Sequence, residues 1–220
     1  CAPVSQEEII LRALTNSPIN HVGSLARKDI LIKNGGYPAQ YKIAADYELW
    51  SRLLAAGHRL TSNAEVLVAI RVHAQSLSFV EKKGANFSEA VEVIYKNIGR
   101  FTDRAVTYEE AMLLGVMVYA PAEQTDEDFR KALMILQSAV KKIRPVLQIS
   151  PEVLNLSFAR MERVMYVKRI LAGIQQGQTR TIRRAAQRYV RTHGPANVVN
   201  LFFLFSFSGG ICLRPVPWLY

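Results

Sequence analysis

Four helix starts are written into this chain in much the same chemistry, and they constrain its fold more than any other feature. Ser5 stands three residues ahead of Glu8, Thr107 ahead of Glu110 and Thr125 ahead of Asp128, while Ser150 stands directly before Pro151. A hydroxyl in the first of these positions accepts an N–H that the opening turn of a helix leaves without a partner. An acidic residue three positions on can return the bond, and proline suits the first helical position because it has no N–H to lose. Apolar residues at helical spacing follow each start. They predict helices over Ser5 to Leu14, Ala111 to Tyr119, Thr125 to about Leu147 and Ser150 to about Ile174, with others over Asn86 to Ile98 and, past the break at Gly177, Thr179 to Thr192. Half of the residues are apolar, enough for a sizeable core.

Ahead of Glu81 the pattern is mixed. Val66 to His73 is β-branched and nearly continuous, which predicts a strand with His73 at its C-terminal end, and shorter extended passages are expected at 21–25 and 59–62. Arg27 to Lys33 reads as a short helix stopped by glycine. Gly35-Gly36-Tyr37-Pro38 then leads through a polar loop to Asp46, a good N-cap for a helix running to Gly57. Leu49, Trp50, Leu53 and Leu54 form the apolar stripe by which that helix docks, with Glu48, Ser51 and Arg52 off it. Asp46 is therefore a carboxylate at a loop-to-helix junction, where the helix N-terminus should favour its ionised form and lower its basicity. With a boundary near 79–84, the fold class is an α/β part (1–80) followed by a mainly α-helical module (84–193) and an apolar tail (194–220). A sheet cut in the middle exposes an edge, so residues 1–80 are expected to be the less stable part.

The formal charge of +10 implies polyanionic partners: nucleic acid, an anionic membrane surface or phosphorylated small molecules. Arg160, Arg163, Lys168, Arg169, Arg180, Arg183, Arg184, Arg188 and Arg191 face only Glu162 as an acid over the same stretch. Neither a recognisable binding motif nor interleaved aromatics accompany them, which argues against nucleic acid. The uncharged Leu/Phe run from Val198 to Leu213 is short of the roughly 20 residues of a spanning helix, so it reads as interfacial or core. Two arrangements fit: a basic surface and apolar tail in peripheral contact with a membrane, or a solvated arginine face with the tail buried. Cys1 and Cys212 supply neither a disulfide framework nor C-x-x-C spacing, which fits a reducing, cytosolic setting. The first residue is Cys1 and not Met, and the chain is read as a piece of a longer protein.

Within the first eighty residues, Asn16-Ser17-Pro18-Ile19-Asn20-His21, Arg27, Gly35-Gly36-Tyr37, Ala45-Asp46-Tyr47-Glu48-Leu49-Trp50-Ser51-Arg52-Leu53, Val66-Leu67 with Ile70-Arg71-Val72-His73, and Ser76-Leu77-Ser78 follow one another. In that order they resemble the acceptor-side half of a family-2 glycosyltransferase with the A-type fold. The resemblance implies inverting transfer of a sugar from a nucleotide-sugar donor to a glycan or lipid-linked acceptor in surface polysaccharide synthesis, at the cytoplasmic face of the membrane. Asp46 would be the catalytic base. His73 would complete a metal shell or touch the diphosphate, with Arg71 assisting, while Tyr37, Trp50, His21 and Arg27 would line the acceptor site. The divalent metal (Mg2+ or Mn2+) and its Asp-x-Asp ligands belong to a donor-binding half that this sequence lacks, so the fragment alone is expected to be inactive. Ala45 departs from the family, where Glu commonly precedes the Asp.

Each assignment has a plainer rival. Asp46 alone is a cap worth about 1 kcal/mol. His73 also reads as a strand-end histidine, Trp50 as core, Tyr37 as turn packing, and His21 and Arg27 as a satisfied hydrogen bond and a surface salt bridge. The alternative function is a non-catalytic binding or scaffolding module whose basic helices engage a polyanion or membrane.

Overall fold

The computed structural model describes residues 5–63, 65, 67–69, 71 and 87–194. His73, much of the strand expected over 66–73 and the apolar tail beyond Gly194 lie outside the described residues. The helices are α1 (Gln6–Ala13), α2 (Lys28–Lys33), α3 (Ala45–Ala55), α4 (Ser88–Phe101), α5 (Tyr108–Tyr119), α6 (Asp126–Lys141), α7 (Pro151–Gln175) and α8 (Thr179–His193), with a 3-10 turn at Pro145–Leu147. Among the described residues β pairing is limited to an isolated antiparallel bridge between Thr102 and Ile143. Neither 21–25 nor 59–62, both expected to be extended, forms a strand. Ser24 turns back on His21, its N–H and Oγ both donating to the His21 carbonyl at 3.1 and 2.7 Å. The Leu60 N–H is taken by Gln6 Oε1 at 3.0 Å, a side chain of α1 and not a strand.

The local capping chemistry forms as the sequence implies. Ser5, Thr107, Thr125 and Ser150 accept the N–H groups of Glu8, Glu110, Asp128 and Val153 at 3.2, 3.2, 3.0 and 3.3 Å. Glu110 also accepts the Thr107 N–H at 3.1 Å, closing a full capping box. The helix expected to reach Leu147 stops at Lys141. Pro145 has no N–H and disfavours helical geometry at Arg144. The chain turns instead onto the end of α4, where the Asp103 N–H meets the Lys142 carbonyl at 2.8 Å and the Arg144 N–H meets the Phe101 carbonyl at 3.0 Å.

Packing follows chain order on one side, α4 against α5 and α5 against α6, while α7 lies against α8, α6, α5 and α1. α3 packs on α4 and α1. Ile9, Leu14, Tyr47, Ile94, Leu114, Leu136 and Ile170 belong to a single buried cluster, so the core runs uninterrupted across the boundary expected near 79–84. α3 is buried on more than its apolar stripe. Leu49, Trp50 and Leu53 pack on Ile19, Ile30, Leu31 and Leu60, yet Glu48 and Ser51 are only 5% and 0% exposed. Their partners come from α4: Asn97 Nδ2 donates to Ser51 Oγ at 2.8 Å and to the Ala13 carbonyl at 2.7 Å. Tyr47 Oη donates to the same carbonyl at 2.7 Å, joining α1, α3 and α4 through polar groups that water cannot reach.

Candidate functional site

The site is assembled from the loop between α2 and α3. α2 ends at Asn34, and the next two residues take left-handed backbone, Gly35 at φ +80° and Gly36 at φ +61°, which lets their N–H groups close on the Ile32 and Leu31 carbonyls at 3.0 and 2.8 Å. Arg52 Nη2 donates to the Gly36 carbonyl at 2.8 Å. That guanidinium is held in turn by Glu48, through Nε and Nη2 at 3.1 and 3.0 Å to Oε2, while Arg100 Nη2 of α4 reaches Glu48 Oε1 at 2.8 Å. Burial pushes the Glu48 carboxyl up, but the bonds from Arg52 and Arg100 outweigh it and hold the group below its ordinary value.

Asp46 is not the N-cap. Ala44 occupies that position with no side-chain bond of its own, and Asp46 is the second helical residue. Just ahead of the helix, the Glu89 carboxylate of α4 accepts the N–H groups of Lys42, Ile43 and Ala44 at 3.0, 2.8 and 3.0 Å and fixes the approach to α3. These donors precede the first turn of the helix; within that turn the Asp46 carboxylate takes the Tyr47 N–H and its own.

Ser17 Oγ lies 3.4 Å from Asp46 Oδ2 but only 2.9 Å from the Ile19 carbonyl, and a hydroxyl has a single proton to give. The bond to Asp46 is therefore the weaker one. Burial pushes the Asp46 carboxyl above its ordinary value of 3.8, more than the Tyr47 N–H, the His21 ring, Ser17 and its own N–H pull it down. The expectation that the helix start would leave a weak base is corrected: the backbone acts in that direction, and burial wins. Tyr37 and Tyr119 register the same carboxylate, their phenols pushed up by burial first and by Asp46 second. Tyr119, at the end of α5, donates to Asn16 Oδ1 at 3.1 Å, and the same oxygen takes the Ser17 N–H at 2.8 Å.

Three aromatic rings gather beside this carboxylate. His21 and Tyr37 meet edge to face at 5.5 Å, and Trp50 lies 6.4 Å from each. His21 is exposed and Tyr37 half exposed, whereas Trp50 is buried behind them, with an indole N–H that finds no acceptor among the described residues. Arg27 is elsewhere: it precedes α2 and pairs at 3.6 Å with Asp29, both side chains largely in solvent. Arg71 is exposed, and no described contact joins it to the Asp46 group. His73 lies outside the described residues. Among the described residues no three His, Cys, Asp or Glu side chains gather as a metal site, so the expected divalent cation has no ligand set there.

Ser17, Asn16, Tyr119 and Glu89 had been assigned no role at the site. Asn16-Ser17 entered the sequence reading as part of the resemblance without a role of its own, and Tyr119 and Glu89 arrive from helices far along the chain. Two cavities open elsewhere: about 400 Å³ between the start of α1 and residues 59–61, and about 390 Å³ lined by Asp126, Arg130, Arg184, Gln187, Arg188 and Arg191.

The chain is 28% identical over 94 residues to the amylovoran biosynthesis glycosyltransferase AmsE of Erwinia amylovora, covering 43% of this chain and 34% of that protein. It is 31% identical over 94 residues to an uncharacterized glycosyltransferase of Haemophilus influenzae, covering 43% and 33%. These matches support a glycosyltransferase relationship. The chain spans about a third of the length of the curated relatives it matches. No family model and no solved structure matches it.

Proposed function

We propose that this chain is the acceptor-side part of an inverting glycosyltransferase of the A-type fold, with Asp46 as the base. The observation that carries the reading is Asp46 itself, raised in basicity by burial and set beside the exposed His21 and Tyr37 rings. An acceptor sugar laid across those rings would bring a hydroxyl to the carboxylate. As Asp46 takes that proton, the oxygen attacks the anomeric carbon from the face opposite the leaving group. The bond to the nucleoside diphosphate breaks, its electron pair departs with the phosphate oxygen, and configuration inverts. Positioning by the Glu48–Arg52–Gly36 tie holds Tyr37 in place and supplies much of the rate. Metal ligands for the diphosphate are not found among the described residues, and no step above depends on one.

The name of the Erwinia relative supports polysaccharide synthesis as the setting, with a glycan or lipid-linked acceptor. No helix among the described residues is long and apolar enough to cross a membrane, and the proposed contact with the cytoplasmic face is peripheral. The test is Asp46→Asn in a full-length protein that carries this chain, followed by release of nucleoside diphosphate. Loss of a general base lowers turnover by about 10²- to 10⁴-fold, with acceptor KM little changed. Undiminished turnover would remove Asp46 from the mechanism.

A further inference from the structure

A second charge feature lies between α6 and α8. Arg184, Arg188 and Arg191 recur along α8 at spacings of four and three, and they line the cavity of about 390 Å³ whose opposite wall is Asp126 and Arg130 of α6. One carboxylate therefore faces four guanidinium groups, and it is already committed. Asp126 Oδ1 accepts from the buried Arg169 Nη2 at 3.0 Å and Oδ2 from Arg184 Nη1 at 2.9 Å. The neighbouring acids are engaged as well: Glu127 pairs with Lys131 at 2.9 Å, and Asp128 accepts the Thr125 hydroxyl at 2.7 Å. Arg130 donates to the Asp126 backbone carbonyl at 3.3 Å, and neither Arg188 nor Arg191 forms an ion pair with a carboxylate among the described residues.

Like charges held around a concave surface raise one another's energy and draw in a counter-anion. Guanidinium forks favour phosphate, which they meet with paired N–H bonds. The extent of the row selects further. Seven residues of helix rise about 10 Å, longer than a single phosphate group and suited to two linked ones. Arg169, fixed by the Pro121 and Gln124 carbonyls at 2.7 and 2.8 Å, anchors Asp126 and through it Arg184, so part of the cavity is preorganised.

We infer that the cavity between α6 and α8 binds a diphosphate group, carried either by a prenyl lipid or by a soluble nucleoside. It stands apart from Asp46, and its occupancy does not depend on the catalytic reading. Calorimetry on the chain with inorganic pyrophosphate tests it. Saturable binding is expected, weakened about a hundredfold in Arg188→Gln/Arg191→Gln, since each charge-assisted bond accounts for about a factor of ten or more. Arg183→Gln removes an exposed charge from the same helix outside the cavity and is expected to change affinity less than threefold. Uridine diphosphate and phosphatidylcholine vesicles doped with a prenyl diphosphate separate the sources: whichever is displaced by pyrophosphate, and released by the double substitution, identifies the carrier. Absence of pyrophosphate binding, orthophosphate binding as tight as pyrophosphate, or equal loss in Arg183→Gln would overturn the assignment.

Discussion

Replacing Glu48 by alanine removes the anion that ties the Gly35-Gly36 loop to α3 and α3 to α4. The Glu48 side chain is 7% exposed and holds two guanidinium groups, those of Arg52 and Arg100, whose side chains are 28% and 25% exposed. Stripping one partner from a fully buried pair costs about 3–5 kcal/mol. Here the stranded cations are partly hydrated and keep other acceptors, Arg52 the Gly36 carbonyl at 2.8 Å and Arg100 the Asn97 Oδ1 at 3.2 Å, so the loss falls to about 2–3 kcal/mol. For a chain of this size that lowers Tm by roughly 4–12 °C. Thermal unfolding of wild type and Glu48→Ala from pH 8 down to pH 3 is the assay. Because the folded carboxyl titrates below its ordinary 4.5, its stabilisation is complete above that value and fades as pH falls towards the lower folded value. The gap between the two melting curves should therefore be constant at neutral pH and shrink in acid. A gap that persists unchanged at pH 3 would assign the loss to packing, and no gap at pH 7 would refute the reasoning entirely.

Asp46 runs the opposite way: its folded carboxyl keeps a proton to higher pH than the unfolded one, so ionising it costs stability that is fully felt above the folded value. Asp46→Asn should melt higher than wild type at pH 7 and alike at pH 3, and the acid limb of the wild-type pH–rate profile should lie above 3.8. Arg169→Met removes a guanidinium 2% exposed that serves two carbonyls and Asp126, stranding them; urea unfolding should register a loss of about 3–5 kcal/mol. Glu89→Ala should cost about 1–2 kcal/mol by the same measurement, with hydrogen exchange quickening at Lys42, Ile43 and Ala44 before it does at the α4 amides.

The helix starts were legible because a cap is local chemistry: Ser5, Thr107, Thr125 and Ser150 each bond an N–H three residues away. The end of α6 was misread because periodicity continues past Lys141 while Pro145 halts the backbone. At α3 the position of Asp46 near a helix start was visible, but it is the second helical residue and not the N-cap, and the carboxylate that fixes the chain entering the helix, Glu89, is encoded more than forty residues later. The same distance hid the burial of Glu48 and Ser51, polar residues whose partners Arg100 and Asn97 no neighbouring sequence announces. His21, Tyr37 and Trp50 were picked out by resemblance and stand together, while Arg27 keeps to its surface pair with Asp29. The arginine-rich stretch looked nearly devoid of acids because the acids are on other helices: Arg160 pairs with Glu8, and Arg169 and Arg184 with Asp126.

The carboxylate of Glu89 on the N–H groups of residues 42–44 has a consequence for inheritance and for engineering. The segment that bears the candidate base and the helices beyond it are not interchangeable parts. A graft of residues 5–63 onto a foreign helical scaffold would carry Asp46 but leave the amides leading into its helix without their acceptor, free to shift where the chemistry needs a fixed distance. Recombination between related chains would be tolerated only where the incoming helix also offers a carboxylate in its first turn, so these two segments must travel through evolution as a pair.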